Sequence, residues 1–203
     1  MWITWKHDDR TIPWPPSFEQ KVDIFYHRQL GWQLHVADLL SNGGKPLAKD
    51  GEELEALRPI PHSGFAVLHI CLSYFETIAQ YQRLNANTTS PGDFFREGVH
   101  AVFPALGKAQ PAGLDAFLST LYKNARCGLY HGSMARAGVG LGQPGHNIAM
   151  TFSPATKQLV IDPHVLPKAL KAHLESYRIQ LLDRNQGILR RNFETQFNKD
   201  NGL

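Results

Sequence analysis

Arg126 and His131 stand five residues apart in the stretch RCGLYH, at the end of an apolar helical pattern. Histidine titrates near neutral pH and serves as a base or an acid, whereas arginine stays charged and binds phosphate oxygens with its planar fork. Cleavage of RNA without a metal needs a base for the 2′-hydroxyl proton, a cation that stabilises the phosphorane, and an acid for the leaving oxygen. The pair therefore has the right kinds of group for this reaction, but one chain does not obviously contain enough of them.

The stretch 114–132 predicts one helix, because its apolar residues recur at helical spacing and Gly132 is expected to end it in the left-handed conformation. Five residues along an ideal helix correspond to about 500°, so Arg126 and His131 should point about 140° apart. Tyr130, by contrast, should share the face of Arg126. His131 must then either reach round from the helix end or meet Arg126 of a second protomer in a two-fold dimer.

The run NARCGLYHG at a helix end resembles the motif of the HEPN superfamily (higher eukaryotes and prokaryotes nucleotide-binding). In that motif an Arg is followed four to six residues later by His, late in a bundle helix. The resemblance implies a small helical bundle that forms a homodimer through the 114–132 helix and cleaves RNA as a metal-independent endoribonuclease, without a cofactor. It suggests a toxin or defence component, with an antitoxin or another protein as a further partner.

The same resemblance implies roles for individual residues. Arg126 would be the phosphate clamp and His131 the acid or base. The supporting groups would be Glu76, Tyr130 and Ser133.

Two other interpretations stay open. Many active members carry a polar residue directly after the Arg, where this chain has Cys127, and a catalytically silent module that binds RNA, a nucleotide or a protein partner would fit that difference. In a purely structural interpretation, Arg126 pairs with Glu76 inside the bundle and His131 complements the dipole at its helix end.

The remaining pattern predicts a mainly α fold in a single domain, 1–203: a HEPN-like antiparallel bundle of four to five helices with one small inserted β-hairpin. Residues 1–16, rich in Trp and Pro, predict an extended arm that packs on the bundle or on a partner chain. Ser17 is expected to cap a first helix that runs to about Leu40. Its apolar stripe is expected to contain Phe18, Val22, Phe25, Trp32, Val36 and Leu39.

A second helix is predicted from Ser63 to about Leu84, with apolar residues around most of its circumference. Its narrow polar seam contains His69, Ser73, Glu76 and Gln80. The seam is either a stripe facing solvent or a surface from which Glu76 points toward the Arg–His pair.

The last third of the chain begins with a glycine-rich connection, followed by a predicted β-hairpin at 147–162. A long helix then runs from Leu166 to Leu182, and residues 188–203 predict a polar C-terminal tail in which a short helix is the open alternative. The long helix carries three cations in one sector, which predicts either RNA-phosphate binding or an ordinary solvated face. These cations are Lys168, Lys171 and Arg178.

The composition is that of an ordinary globular protein, with 42% apolar and 19% charged residues and a net charge of +3, too mild to indicate nucleic-acid binding by itself. Cys71 and Cys127 lie among apolar neighbours and predict buried thiols rather than a disulfide. The histidines other than His131 show no metal-ligand spacing. The absence of a leader pattern and of a membrane-length apolar run predicts a cytoplasmic protein.

Overall fold

The computed structural model describes residues 3–8, 10, 12–49, 51–82, 90–106, 113–143 and 145–203. Within these ranges the fold is mainly α, with one three-stranded sheet. The first helix, α1, has three successive segments: α-helical Phe18–Gln29, π-helical Leu30–Leu34 and α-helical His35–Asn42. The next two helices are α2 (Gly64–Gln82) and α3 (Pro91–Val102). Helix α4 is again composite: Leu114–Thr120, π-helical Leu121–Arg126 and Cys127–Gly132. Strands β1 (Val139–Leu141), β2 (Met150–Ser153) and β3 (Gln158–Ile161) precede α5 (Leu166–Leu182) and α6 (Gly187–Asn201). No helix of the described residues is long and apolar enough to cross a membrane.

The capped first helix is confirmed, but its apolar stripe is only partly right. Ser17 forms a capping box with Gln20, in which each side chain binds the other's backbone N–H. The π-helical segment inserts an extra residue into the turn, which rotates the following side chains by roughly 100°. Trp32 and Val36, predicted to be buried, are therefore exposed, Trp32 by 50%.

Helix α2 lies at the centre of the core, as its apolar circumference predicts, and its predicted end near Leu84 is outside the described residues. Helix α3 packs against it most closely at Gly98, where the missing side chain lets the backbone of Phe75 approach. The buried residues of α2 are Val67, Leu68, Cys71, Leu72, Tyr74, Phe75, Ile78, Ala79 and Tyr81.

Of the two alternatives for residues 188–203, the structure shows the helix, because they lie almost entirely in helix α6. Phe193 and Phe197 are fully buried, and the ring of Phe193 meets that of Phe25 edge to face at 5.5 Å. Leu189, Phe193 and Phe197 recur at i, i+4 and i+8, so a stripe of three apolar residues holds this otherwise polar helix on the bundle.

The sheet contains the predicted hairpin and one strand that was not predicted. β2 and β3 pair antiparallel from Met150↔Ile161 to Ser153↔Gln158. The glycine-rich connection, expected to be irregular, contributes β1, which pairs parallel with β3 and gives the order β1-β3-β2. β1 has only three residues and one of them is glycine, so it is too short to show an alternating apolar pattern in the sequence.

The N-terminal arm packs on α1 of the same chain. The indole of Trp5 lies over Gly31, where a Cβ would come within 1.9 Å of the Trp5 Cδ1 atom. His7 and His27 each place Nε2 near a different oxygen of Asp23, at 3.2 and 3.4 Å. Trp14 is half exposed, and Trp2 lies outside the described residues.

Acid should destabilise this fold through His173 on α5. Burial lowers the pKa of His173 from 6.5 to about 4, and its Nδ1 lies 2.9 Å from the Tyr74 hydroxyl, which donates only to a neutral ring. The unfolded chain therefore binds this proton at a higher pH than the folded chain does. The contribution of neutral His173 to the free energy of unfolding is fully present above about pH 6.5. It is lost as the pH is lowered, by roughly 2 kcal/mol between pH 7 and pH 5.

Urea unfolding of the wild type and of His173→Gln at these two pH values measures this effect. The variant should lose clearly less stability over the interval. An equal loss in both proteins would assign the acid sensitivity to other groups, among which His7 and His35 also have a pKa lowered by burial.

Candidate functional site

The candidate site lies at the C-terminal end of α4, where the π-helical segment ends at Arg126 and regular α-helix resumes at Cys127. The helix continues through Gly132, and Ser133 takes the left-handed conformation at φ 58°. The prediction that Gly132 adopts this conformation is therefore wrong by one residue. π-Helical turns inside α-helices are frequent at functional sites, because they redirect a side chain without breaking the helix.

Arg126 contacts Glu76 of α2 at two points, and both side chains are largely buried. Nη2 of Arg126 donates a hydrogen bond of 2.9 Å to Oε2 of Glu76. Nε approaches Oε1 to 2.6 Å as a charge contact that is not aligned for a hydrogen bond. Burial opposes the charge of Arg126, but the hydrogen bond and the negative charge of Glu76 outweigh burial and raise the pKa of the guanidinium. One edge of the guanidinium is thus committed to Glu76, and within the described residues Nη1 makes no hydrogen bond.

Two aromatic rings fix the plane of the guanidinium. Its Cζ lies 4.1 Å from the centre of the Tyr130 ring and 6.0 Å from that of Tyr122. Tyr130 is stacked in turn on His69 of α2, with the ring centres 4.3 Å apart and the planes at 17°. Arg126 and Tyr130 therefore share one face of α4, as their spacing predicts, and that face adjoins the polar seam of α2.

His131 lies outside this set of contacts. It is exposed on the last turn of α4, and no contact among the described residues joins it to Arg126. Ser133 is also exposed, and its backbone N–H closes the helix by donating to Leu129 at 3.0 Å. One protomer therefore brings Arg126, Glu76 and Tyr130 together but leaves His131 and Ser133 apart from them.

Sequence reasoning did not identify His69 and Tyr122 as part of the site. Both carried a usable signal: His69 lies seven residues before Glu76 on the same seam, and Tyr122 lies four residues before Arg126. Spacing of four or seven residues places side chains on one helical face. The other seam residue with a defined contact is Ser73, whose hydroxyl donates to Ile70 O at 2.7 Å.

The three cations predicted to bind RNA on α5 are not equally available. Nζ of Lys171 lies 2.7 Å from a carboxylate oxygen of Asp38, and Arg178 lies 3.6 Å from Asp23. The guanidinium of Arg178 also covers the ring of Tyr26 at 4.5 Å. Lys168 alone is fully exposed among the three. Two of the cations thus hold α5 against α1.

Several apolar side chains of α1, α2 and the end of α4 are exposed. Helices α1 and α2 run antiparallel, with the Ser73 hydroxyl 3.5 Å from Gln33 Oε1 and Ser63 bonded to Leu40 O. We call the exposed set the apolar rim; it contains Trp32, Val36, Phe65, Tyr130 and Met134.

The two cysteines differ in their surroundings. Cys71 is fully buried, and burial raises the pKa of its thiol, whereas Cys127 is only half-buried and lies beside Tyr122. Both are free thiols. In the part of the chain that the structure describes, no group of three His, Cys, Asp or Glu residues is arranged to hold a metal ion.

No known protein family matches this chain, and no curated protein or solved structure is significantly similar to it. What the site can do therefore follows from its own geometry and charge.

Proposed function

We propose that this chain is a metal-independent endoribonuclease of HEPN type, whose active site is completed by a second copy of the chain. The observation that carries the proposal is the guanidinium of Arg126, which Glu76 holds by one edge and Tyr130 by its face. A guanidinium fixed in this way offers its remaining N–H groups in a preset direction, which suits recognition of phosphate oxygens.

The second reacting group would be His131. In the proposed reaction one histidine removes the 2′-hydroxyl proton, and the 2′-oxygen attacks the neighbouring phosphorus. Arg126 stabilises the charge of the phosphorane, and the 5′-oxygen leaves with a proton from an acid. The products are a 2′,3′-cyclic phosphate and a 5′-hydroxyl.

The separation of His131 from Arg126 within one protomer favours a composite site. A two-fold axis beside the end of α4 would bring two arginines and two histidines into one cleft, so that one histidine serves as base and the other as acid. The need for two histidines and the exposure of His131 support the same arrangement.

The protein should accordingly be a homodimer in solution. The apolar rim supplies exposed Trp, Phe, Tyr and Met side chains, which are typical of interface cores, and its Tyr130 contacts Arg126. Light scattering should give twice the 22.8 kDa of one chain, and Trp32→Ser with Phe65→Ser should give a monomer.

The matched control for this double variant is Ile179→Ser with Ile188→Ser, because these side chains on α5 and α6 are even more exposed but lie outside the rim. The control should remain dimeric. A wild type that stays at 22.8 kDa at micromolar concentration would exclude the composite site.

A catalytically silent RNA-binding module is the second candidate function. It is favoured by the contact of Glu76 with Arg126, since a neutralised arginine has less net charge to offer a phosphorane. Cys127 after the arginine points the same way.

Incubation of the pure protein with total RNA and excess EDTA separates the two candidates. The nuclease should cut RNA under these conditions and leave cyclic phosphate ends, because its own residues carry every proton transfer. Cleavage that stops with EDTA, or an absence of cleavage, would refute the proposed mechanism.

A further inference from the structure

The chain that follows α4 folds back onto the helix beside the candidate site. Gly128 permits this approach, because a Cβ there would lie 2.8 Å from Met134 O and 3.0 Å from Arg136 N. Any side chain at this position would push the returning segment away. The glycine inside RCGLYH therefore has a structural purpose: it brings residues 134–136 against the helix two positions beyond Arg126.

Asn124 holds the returning segment in register. Its backbone oxygen accepts the Arg136 N–H at 2.8 Å, and its side-chain amide donates to Ala137 O at 3.0 Å. Cγ of Arg136 lies only 3.2 Å from the Cβ position of Gly128. The aliphatic part of Arg136 therefore lies along α4, and its charged end is exposed near the candidate site.

The same junction brings in Lys157 from the turn between β2 and β3. Leu159 N donates to Gly138 O at 2.8 Å, and the Cβ position of Gly138 lies 3.0 Å from Lys157 O. Lys123 precedes Asn124 on α4. We call these three cations, which come from three segments of the chain, the Arg136 strip: Lys123, Arg136 and Lys157.

Within the described part of the chain, the cations of the Arg136 strip form no ion pairs, unlike the three helix cations considered above. All three of its side chains are exposed, and among the described residues no carboxylate lies within ion-pairing distance of them. Lys171, Arg178 and Arg126, by contrast, each contact an Asp or Glu. The strip therefore presents net positive charge, which the candidate α5 surface largely lacks.

A phosphate ligand at the end of α4 needs this additional charge. The C-terminal end of a helix carries a partial negative charge and repels anions. The positive charge of Arg126 is already balanced by the carboxylate of Glu76. A pocket of about 210 Å³ lies over the paired strands β1 and β3, and its lining includes Gly138, Gly140 and Gln158, the chain neighbour of Lys157. Its glycines leave the backbone open to a ligand.

We propose that Lys123, Arg136 and Lys157 bind the phosphates of the RNA strand on one side of the scissile linkage, beside the pocket on β1 and β3. This inference rests on the proposed function, since it names how the substrate of that site is held. Three phosphate contacts to a single strand should make log affinity fall with log salt by about 2 units of slope.

Fluorescence anisotropy with a labelled 2′-O-methyl oligoribonucleotide tests the inference, because this probe lacks the attacking hydroxyl and cannot be cut. The triple variant Lys123→Ala, Arg136→Ala and Lys157→Ala should bind about tenfold or more weakly at low salt and lose about 2 units of salt slope. The matched control changes the same net charge at exposed positions in the C-terminal part of the chain, one in the turn between α5 and α6 and two on α6: Arg184→Ala, Arg191→Ala and Lys199→Ala.

The outcomes separate this inference from the proposed function. Equal weakening of RNA binding in both triple variants would mean that net charge alone explains the loss, and the proposed role of the Arg136 strip would be wrong. Unchanged binding in the strip variant, with ordinary RNA still cut by the wild type, would overturn the strip alone. Loss of binding only in the strip variant supports the strip even if the wild type cuts no RNA, in which case the nuclease proposal fails by itself.

Discussion

His131→Ala is expected to abolish RNA cleavage and leave the stability of the protein unchanged. Removal of a general acid or base typically costs a factor of about 10² to 10⁴ in rate. His131 is exposed on the last turn of α4 and contributes nothing to the core, so its loss should not affect folding. The variant therefore tests chemistry without a change in structure.

The measurement is the initial rate of cleavage of a defined RNA, together with thermal unfolding of the same samples. His146→Ala is the matched control, because His146 is also an exposed histidine and lies outside the RCGLYH motif. It should cut at the wild-type rate. If His131→Ala also cuts as fast as wild type, the proposed role of His131 is wrong.

Arg126 needs a different design, because it is both a proposed reacting group and a structural one. Arg126→Ala leaves the largely buried Glu76 without its partner, which should cost about 1–3 kcal/mol of stability. Arg126→Lys keeps the charge but loses the planar fork, so cleavage should remain strongly reduced while most of the stability returns. The purely structural interpretation predicts that Arg126→Ala lowers the melting temperature and that no form of the protein cuts RNA.

Most helices, and the shared face of Arg126 and Tyr130, were predictable because they depend on regular spacing. Four residues separate Arg126 from Tyr130, and both lie on one face of α4. Glu76 lies on the narrow polar seam of an otherwise apolar helix, and it contacts Arg126. The helical faces follow from 3.6 residues per turn, whereas the choice between a seam that faces solvent and one that faces Arg126 needed the packing of two helices.

The features that could not be predicted arise where tertiary contacts override this regularity. The π-helical turn at Leu30–Leu34 turns Trp32 outward, and no local residue pattern announces an inserted residue. Strand β1 is held by its pairing with β3, twenty residues later in the chain, and Asn124 holds Ala137 just before the strand. Lys171 and Arg178 form a cationic sector on their own helix, but their pairing with acids of α1 depends on the packing of two helices.

Gly98→Ala is expected to destabilise the fold by about 3 kcal/mol or more, although alanine favours helix. The substitution gains about 1 kcal/mol in helix propensity. The new Cβ, however, would lie 1.8 Å from Phe75 O and 2.5 Å from Phe75 C, which are buried backbone atoms that cannot turn aside. Helix α3 must then move away from α2, and the contact between the Phe75 and Phe95 rings, 5.4 Å apart, is opened.

Urea unfolding measures this loss, with Gly187→Ala as the matched control for helix propensity. Gly187 begins α6, and no atom lies within 4 Å of its Cβ position, so the control should be as stable as wild type or slightly more stable. Cleavage by Gly98→Ala should fall even where the protein is still folded, because Glu76 follows Phe75 directly and moves with it. A Gly98→Ala protein as stable as the control would mean that α2 and α3 separate at little cost, and that their close packing does not position Glu76 against Arg126.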